Sequence, residues 1–314
     1  MKIASMILLL CMTCYVTYAQ MEIRTGLELT ADHFPQDGVP RGSLKGPFEF
    51  HSKIIEGTVR QYWIFVPAQY DGSKPASVLV FQDGNRATKP DGSLRVPQVM
   101  ENLIAKGEMP VTIGIFITPG NRSDSYPDSL GTRNPNNRAQ EYDALSDRYS
   151  RFLIEEMLPE VARQYRLTDD PEERAIGGTS SGAIAAFTVA WHRPDMFRKV
   201  FSAIGSYVSI GFRPDEDPIK LGGQDYPALI RREPIRPMKI FIQDGSNDLS
   251  NRWGNWFLAN QQMVSAMQYA NTNADNENTA GARYQYTTLW TDGEHSDKHP
   301  GMVLPEGLKW LWAK

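Results

Sequence analysis

Cysteine is almost absent from this chain. Its 314 residues hold two, Cys11 and Cys14, both inside an apolar leader. Beyond residue 14 there is therefore no disulfide, no thiol nucleophile and no cysteine-ligated metal to consider. Charge of one sign is also missing. Lys and Arg number 33 against 37 Asp and Glu, a net charge of −4, and the basic residues are scattered. That distribution leaves no nucleic-acid footprint, and no nucleic-acid partner is expected. After the leader no apolar run approaches the roughly twenty residues needed to span a bilayer, so no stable membrane insertion is expected. No internal repeat, coiled-coil heptad, metal-ligand pattern or cofactor motif occurs, and neither metal nor cofactor is expected.

The leader itself has an address. Met1-Lys2 is a minimal basic start, residues 3–16 are mostly apolar, and Thr17-Tyr18-Ala19 ends in the small residues a signal peptidase reads. Cleavage is expected after Ala19, which sends the protein to the periplasm or outside the cell. The expected organisation is a signal peptide over 1–19, an N-terminal arm with at most short strands over 20–50, and one catalytic domain over 51–314. A chain without disulfides must rest on a large core, and roughly 295 residues supply one.

Short apolar runs alternate with helical patterns. Strands are expected at 58–67, 78–81, 112–118, 174–176, 199–203, 238–242 and 284–290. Helices are expected at 96–105, 148–165, 181–191, 256–270 and 308–312, with a long polar loop at 122–138 and a turn-rich insert at 271–281. Within 148–165, Leu153, Met157, Val161 and Tyr165 recur at four-residue spacing. Buried strands of this length between helices imply an α/β fold: a mostly parallel sheet covered on both faces.

The chemistry concentrates at Gly177-Gly178-Thr179-Ser180-Ser181-Gly182, which follows the run Arg174-Ala175-Ile176. Read as G-x-S-x-G, its central residue is Ser180. A strand-to-helix turn this sharp requires small neighbours, and it presents the serine as a nucleophile. A serine hydroxyl needs a base. Of five histidines, His33 and His51 precede the strand region, and His192 closes the helix after Ser180. His295 and His299 follow the last strand, and His295 is favoured because it lies closer to that strand, beside Gly293. The base needs an orienting carboxylate. Asp244 and Asp248 both follow the strand at 238–242; Asp248, farther out behind Gly245-Ser246-Asn247, is favoured, with Asp244 assigned to fixing the turn. The oxyanion needs two donors. The Ser181 N–H is one, and the loop after Phe81 offers Gly84 or Asn85 for the other. Trp253 and Trp256 after the acid loop, with Tyr126 and Tyr207 in loops near strand ends, are candidate substrate-binding aromatics. Trp310 and Trp312 read as packing.

These motifs resemble the α/β-hydrolase superfamily. The match is to its esterase D and carbohydrate esterase family 1 group, which includes feruloyl, acetylxylan and enterochelin-type esterases. The resemblance rests on Phe81-Gln82-Asp83-Gly84, Asn137-Arg138 with Glu141-Tyr142-Asp143, Gly178 to Gly182, Arg193-Pro194-Asp195-Met196-Phe197, Gln243 to Asp248, and Gly293-Glu294-His295. It implies an α/β-hydrolase fold and ester hydrolysis by Ser180, Asp248 and His295. It also implies that Arg138, Glu141 and Tyr142 order the region beside the pocket. Thr179 and Ser181 depart from the commoner residues flanking the serine. The expected function is hydrolysis of feruloyl or acetyl esters on plant cell-wall polysaccharide or oligosaccharide. The alternatives are a general or siderophore-type esterase, a peptidase with the same triad, and a non-catalytic carbohydrate-binding protein on this scaffold.

Overall fold

A computed structural model describes residues 22–128, 130 and 135–313. The expected leader over 1–19 lies outside the described residues. The strands are β1 (Ile23–Arg24), β2 (Ser43–Ser52), β3 (Thr58–Val66), β4 (Ser77–Gln82), β5 (Thr112–Ile117), β6 (Arg174–Thr179), β7 (Lys199–Ala203), β8 (Lys239–Gly245), β9 (Ser250–Asn251), β10 (Gly254–Asn255) and β11 (Gln285–Thr291). The helices are α1 (Gly84–Ala87), α2 (Val96–Ala105), α3 (Arg138–Tyr142), α4 (Arg148–Arg151), α5 (Leu158–Ala162), α6 (Ser181–His192), α7 (Tyr226–Arg232), α8 (Trp256–Asn276) and α9 (Lys298–Trp312).

Nine strands form one sheet in the order β1-β11-β8-β7-β6-β4-β5-β3-β2. From β1 to β5 every pairing is parallel; β3 runs antiparallel to β5, and β2 antiparallel to β3. The period-2 alternation of buried strands feeds two cores. Val78, Val80 and Ile176 point to the face covered by α4 to α8, against Phe187, Trp191, Tyr226 and Met263. Leu79, Phe81 and Ala175 point to the face covered by α2 and α9, against Leu103, Leu304 and Leu308. The sheet is thus mostly parallel with helices on both faces, as the strand pattern implied. Among the described residues, no helix is long and apolar enough to cross a membrane.

Four segments depart from the sequence expectations. Residues 43–52, of which 43–50 fall in the expected arm with at most short strands, form a ten-residue edge strand. Pairing with β3 overrides their polar, Gly- and Pro-containing composition. Helix α8 runs through 271–276 because Ala270 and Ala274 stay buried on one face. Helix α9 begins ten residues early despite Pro300, Gly301 and Pro305. Between α4 and α5, Phe152–Met157 widens into a π-helical turn, where the Leu158 N–H reaches the Leu153 carbonyl. The wider turn precedes Pro159, which has no N–H to continue an α-helical ladder.

Candidate active site

The crevice beyond the strand ends is where an open parallel sheet places a site, and β6, β8 and β11 each deliver one side chain there. Strand β6 ends at Thr179, and Ser180 adopts φ 59°, ψ −125° before α6 begins. A non-glycine residue at positive φ is strained and must be held by its surroundings. The Ser180 N–H donates to the Ala203 carbonyl at 3.1 Å, and the Ser180 carbonyl accepts from the Ala183 N–H at 3.0 Å. A Cβ on Gly178 would lie 2.6 Å from the Gly182 backbone, so the strand and helix meet through two glycines.

Strand β8 ends at Gly245, and a tight turn follows, the Asp248 N–H reaching the Gly245 carbonyl at 3.0 Å. The loop after β11 is laced to this turn. The Ser246 N–H donates to the Thr291 carbonyl, the Asn247 N–H to the Gly293 carbonyl and Asn247 Nδ2 to the Asp292 carbonyl. The lacing brings Asp248 Oδ1 to 2.7 Å from His295 Nδ1, while His295 Nε2 lies 2.9 Å from Ser180 Oγ. With Nδ1–H donating to the carboxylate, Nε2 is left to accept the serine proton. The Asp248 side chain is fully buried and that of His295 is 18% exposed.

Two further residues extend the array. Ser206, on the loop after β7, places Oγ 3.0 Å from Ser180 Oγ and accepts from Trp256 Nε1 at 2.8 Å. The indole of Trp256 meets the His295 ring edge-on at 5.6 Å. Donors therefore run in one direction: Trp256, Ser206, Ser180, His295. Nothing in the sequence around Ser206 marks it except its place after a strand-ending glycine.

The other expected residues divide. His299 sits in the first turn of α9, its Nδ1 3.8 Å from Asp292 Oδ1, and makes no bond to Ser180. Asp244 fixes its turn, accepting from the Gly245 N–H at 2.7 Å. The Ser181 N–H, first in α6, has no acceptor among the described residues. Gly84 and Asn85 open α1 behind Asp83, a residue at φ 53°, and their N–H groups also have none. Tyr207 is a correction: it is buried in the core, donating to or accepting from Ser202 and packed edge-on to Phe187. Its side chain turns back under the sheet end instead of lining a cleft. Trp256 is likewise a buried support for Ser206 and His295, not an open platform. Tyr126 is buried, and burial pushes its phenol up to about 12. Trp253 alone of the four keeps an exposed ring, with the Arg252 guanidinium over it at 4.4 Å.

A charge network borders the elbow. Arg138 grips Asp83 with two bonds of 3.0 and 2.8 Å, and Arg86 bridges Asp83 to Asp297. Thr179 Oγ1 donates to Asp297 at 2.7 Å. Behind it, Arg60 and Glu141 form a fully buried ion pair. Asp143, buried beside Ser181, is pushed up to about 6 by burial, and its Oδ1 has no partner among the described residues. A cavity of about 1080 Å³ lies at the opposite ends of the strands, beside Lys199, Lys239 and Trp312, and touches none of these groups. Among the described residues no cluster of His, Cys, Asp or Glu has the arrangement of a metal site.

A serine elbow, a histidine and a carboxylate on a mostly parallel, two-faced sheet define the class as an α/β-hydrolase fold. The chain belongs to the esterase family described as "Putative esterase", whose model matches residues 52–295. It is similar in fold to the enterochelin esterase of Shigella flexneri, at 19% identity and a TM-score of 0.63, over 86% of this chain and 58% of that one. It is also similar to a CE1 ferulic acid esterase of Anaeromyces mucronatus, solved with ferulic acid. That likeness has 18% identity and a TM-score of 0.61, over 90% of this chain and 97% of that one. Among curated proteins, the uncharacterized protein YbbA of Bacillus subtilis (strain 168) is 26% identical over 153 residues, 47% of this chain and 57% of YbbA. The match thus spans less than two thirds of YbbA and of the enterochelin esterase.

Proposed function

We propose that this protein is a serine carboxylic ester hydrolase working through an acyl-enzyme on Ser180. The observation that carries the reading is the continuous array from Ser180 Oγ through His295 to Asp248, at 2.9 and 2.7 Å. His295 Nε2 takes the serine proton as Oγ attacks the ester carbonyl, and Asp248 stabilises the imidazolium. The Ser181 N–H, aided by the N-terminus of α6, faces the developing oxyanion, with Gly84 or Asn85 as second donor. Collapse expels the alcohol with the proton from His295, and water activated by the same ring then releases the acid.

The substrate class we propose is a feruloyl or acetyl ester of plant cell-wall polysaccharide, met outside the cell or in the periplasm. Support comes from exposed apolar side chains close in sequence to the acid loop: Leu249 and Trp253 follow Asp248, and Leu258 lies at the start of α8. An aromatic acyl group buries more apolar area than acetate. At about 25 cal/mol per Å² the difference amounts to roughly 1–2 kcal/mol, about five- to thirty-fold in selectivity.

Two assays test the proposal. Ser180→Ala is expected to lower kcat at least about a thousand-fold on the best ester; unchanged turnover eliminates the acyl-enzyme. A panel of methyl ferulate, feruloylated arabinoxylan oligosaccharides, acetylated xylan, a catecholate trilactone and matched amides tests the substrate. Ferulate or acetate release from the polysaccharides is expected. Turnover confined to the trilactone, to small esters or to amides overturns it.

A further inference from the structure

Four residues before Asp248, the end of β8 carries a second carboxyl group, Asp244, with no exposed surface. Each of its oxygens already receives an N–H. The Gly245 N–H donates to Oδ1 at 2.7 Å, and Asn260 Nδ2 donates to Oδ2 at 2.6 Å. The amide of Asn260 cannot be turned to accept a proton instead. The same Nδ2 faces the Gly205 carbonyl at 2.8 Å and the Trp256 carbonyl at 3.1 Å, and both are acceptors. On the far side stands Asp248. Its Oδ1 takes His295 Nδ1–H and the Leu249 N–H, whereas its Oδ2 is buried with no partner among the described residues. The two carboxyl groups are within hydrogen-bonding reach of each other.

Among the described residues no cation faces Asp244 directly. Helix α8 presents the Asn260 amide, the loop after β7 the Gly205 carbonyl, and β11 the Thr291 hydroxyl, which turns to the Asp244 main-chain carbonyl. The titratable groups facing it are Asp248 and, beyond it, the His295 ring, whose Nδ1–H donates to Asp248. Two ionised carboxylates here would be two buried charges of one sign, which a protein interior avoids by keeping a proton on one of them. Resting on the assignment of Ser180, His295 and Asp248 as the catalytic triad, we infer that Asp244 is held as the neutral acid and donates its proton to Oδ2 of Asp248. The pair then carries one negative charge, and the triad carboxylate is fixed at both oxygens. Burial first, then the hydrogen bond and charge of Asp248, push the Asp244 carboxyl well above the usual carboxylate range. Asp244 is a positioning residue. Its proton stays in place during turnover, and the proton that moves is the one His295 carries between Ser180 and the leaving alcohol. Raising the pH until Asp244 releases its proton to solvent puts a second negative charge beside Asp248, which loses its alignment, so kcat/KM declines on the alkaline side.

The resting full-length enzyme, labelled with 13C at the aspartate side-chain carboxyl, reads the proton directly. One resonance, assigned by its loss in Asp244→Asn, is expected at the acid position from about pH 5 to about pH 9, where an ordinary aspartate has long ionised. Asp248→Asn removes the facing charge and is expected to lower the pH at which that resonance moves, which also identifies it if Asp244→Asn folds poorly. In kinetics, Asp244→Ala is expected to lose about a hundred-fold in kcat through misplacement of the triad. Asp244→Asn, whose amide N–H also donates to Oδ2 but cannot accept the N–H that meets the same atom, is expected to recover part of that and to abolish the alkaline decline. A resonance at the carboxylate position throughout this range, or an unchanged alkaline limb in Asp244→Asn, overturns the shared proton. If Ser180→Ala is inactive in that case, the triad stands without it. Full activity of Ser180→Ala would remove the triad while leaving the resonance readable.

Discussion

At the scale of single residues, Ser206 joins a stabilising contact with Trp256 to a contact with Ser180, the proposed nucleophile. Its oxygen accepts from the buried Trp256 Nε1 and its hydrogen is directed at Ser180 Oγ. Ser206→Ala strands the indole N–H, which costs about 1–3 kcal/mol, whereas removing both partners of a buried bond costs less. Thermal unfolding is therefore expected to show a smaller loss from Ser206→Ala in a Trp256→Phe background than in the wild type. The single variant should also lower kcat about ten-fold with little change in KM, since the lost contact is to Ser180 and not to substrate. Equal losses in the two backgrounds would count against this bond. The juxtaposition of Ser180, His295 and Asp248 was legible because the proposed chemistry demands a residue type at each strand end, and strand ends can be located by composition. Ser206 was not legible, because any serine in a loop after a strand looks alike until the loop is folded. Tyr207 and Trp256 misled for a related reason. Position near an acid loop does not say which way a ring turns, and both rings turn inward.

Whole elements show where local composition is overruled. The helix at 96–105 and the strand at 199–203 were readable to the residue, since apolar period and turn residues agree there. Helix α9 was not, because Pro300, Gly301 and Pro305 each signal a break. The structure shows the compensation: Pro305 leaves the Gly301 carbonyl without its helical donor, and His33 Nε2–H supplies one at 2.8 Å. The other nitrogen of that ring, Nδ1, accepts the Thr30 N–H at 2.9 Å. A contact across 268 residues cannot be read from helix periodicity. His33→Ala is accordingly expected to cost about 1–3 kcal/mol in urea unfolding, with kcat/KM unaffected at temperatures where the variant is folded. At the elbow, Gly178→Ala forces a methyl group to 2.6 Å from the Gly182 backbone. Overpacking of this kind costs about 1–3 kcal/mol and moves Ser180 with the helix. A variant that unfolds at the wild-type temperature and keeps full activity would show that the strand and helix do not meet as described.

On the scale of the molecule, two buried carboxyl groups at the rim of the sheet give stability opposite dependences on pH. Burial raises the Asp83 carboxyl, but the charges and hydrogen bonds of Arg138 and Arg86 outweigh it and hold the group down at about 2. A folded pKa below the unfolded one adds stability that is present above about pH 4 and lost as pH falls towards 2. The depression is worth about 2 kcal/mol, less some screening because Arg86 is 41% exposed. Asp143 is the reverse case. Burial, only partly offset by Ser181, Arg138, Lys220 and Arg213, raises it to about 6. A folded pKa above the unfolded one gives stability that is complete below about pH 4 and lost as pH rises through 6. Urea unfolding of wild type, Asp83→Asn and Asp143→Asn at about pH 4 and pH 7 separates the two. Asp83→Asn should lie below wild type by a nearly constant amount at these two pH values and draw level only as the pH falls from about 4 towards 2, where the folded carboxyl takes up its proton. Asp143→Asn, which cannot ionise, should gain about 2–3 kcal/mol on wild type between about pH 4 and pH 7. A constant Asp143→Asn difference between about pH 4 and pH 7, or an Asp83→Asn difference that does not shrink below about pH 4, would mean that the carboxyl concerned does not titrate as its surroundings dictate. The molecule would then owe its acid and alkaline limits to groups elsewhere.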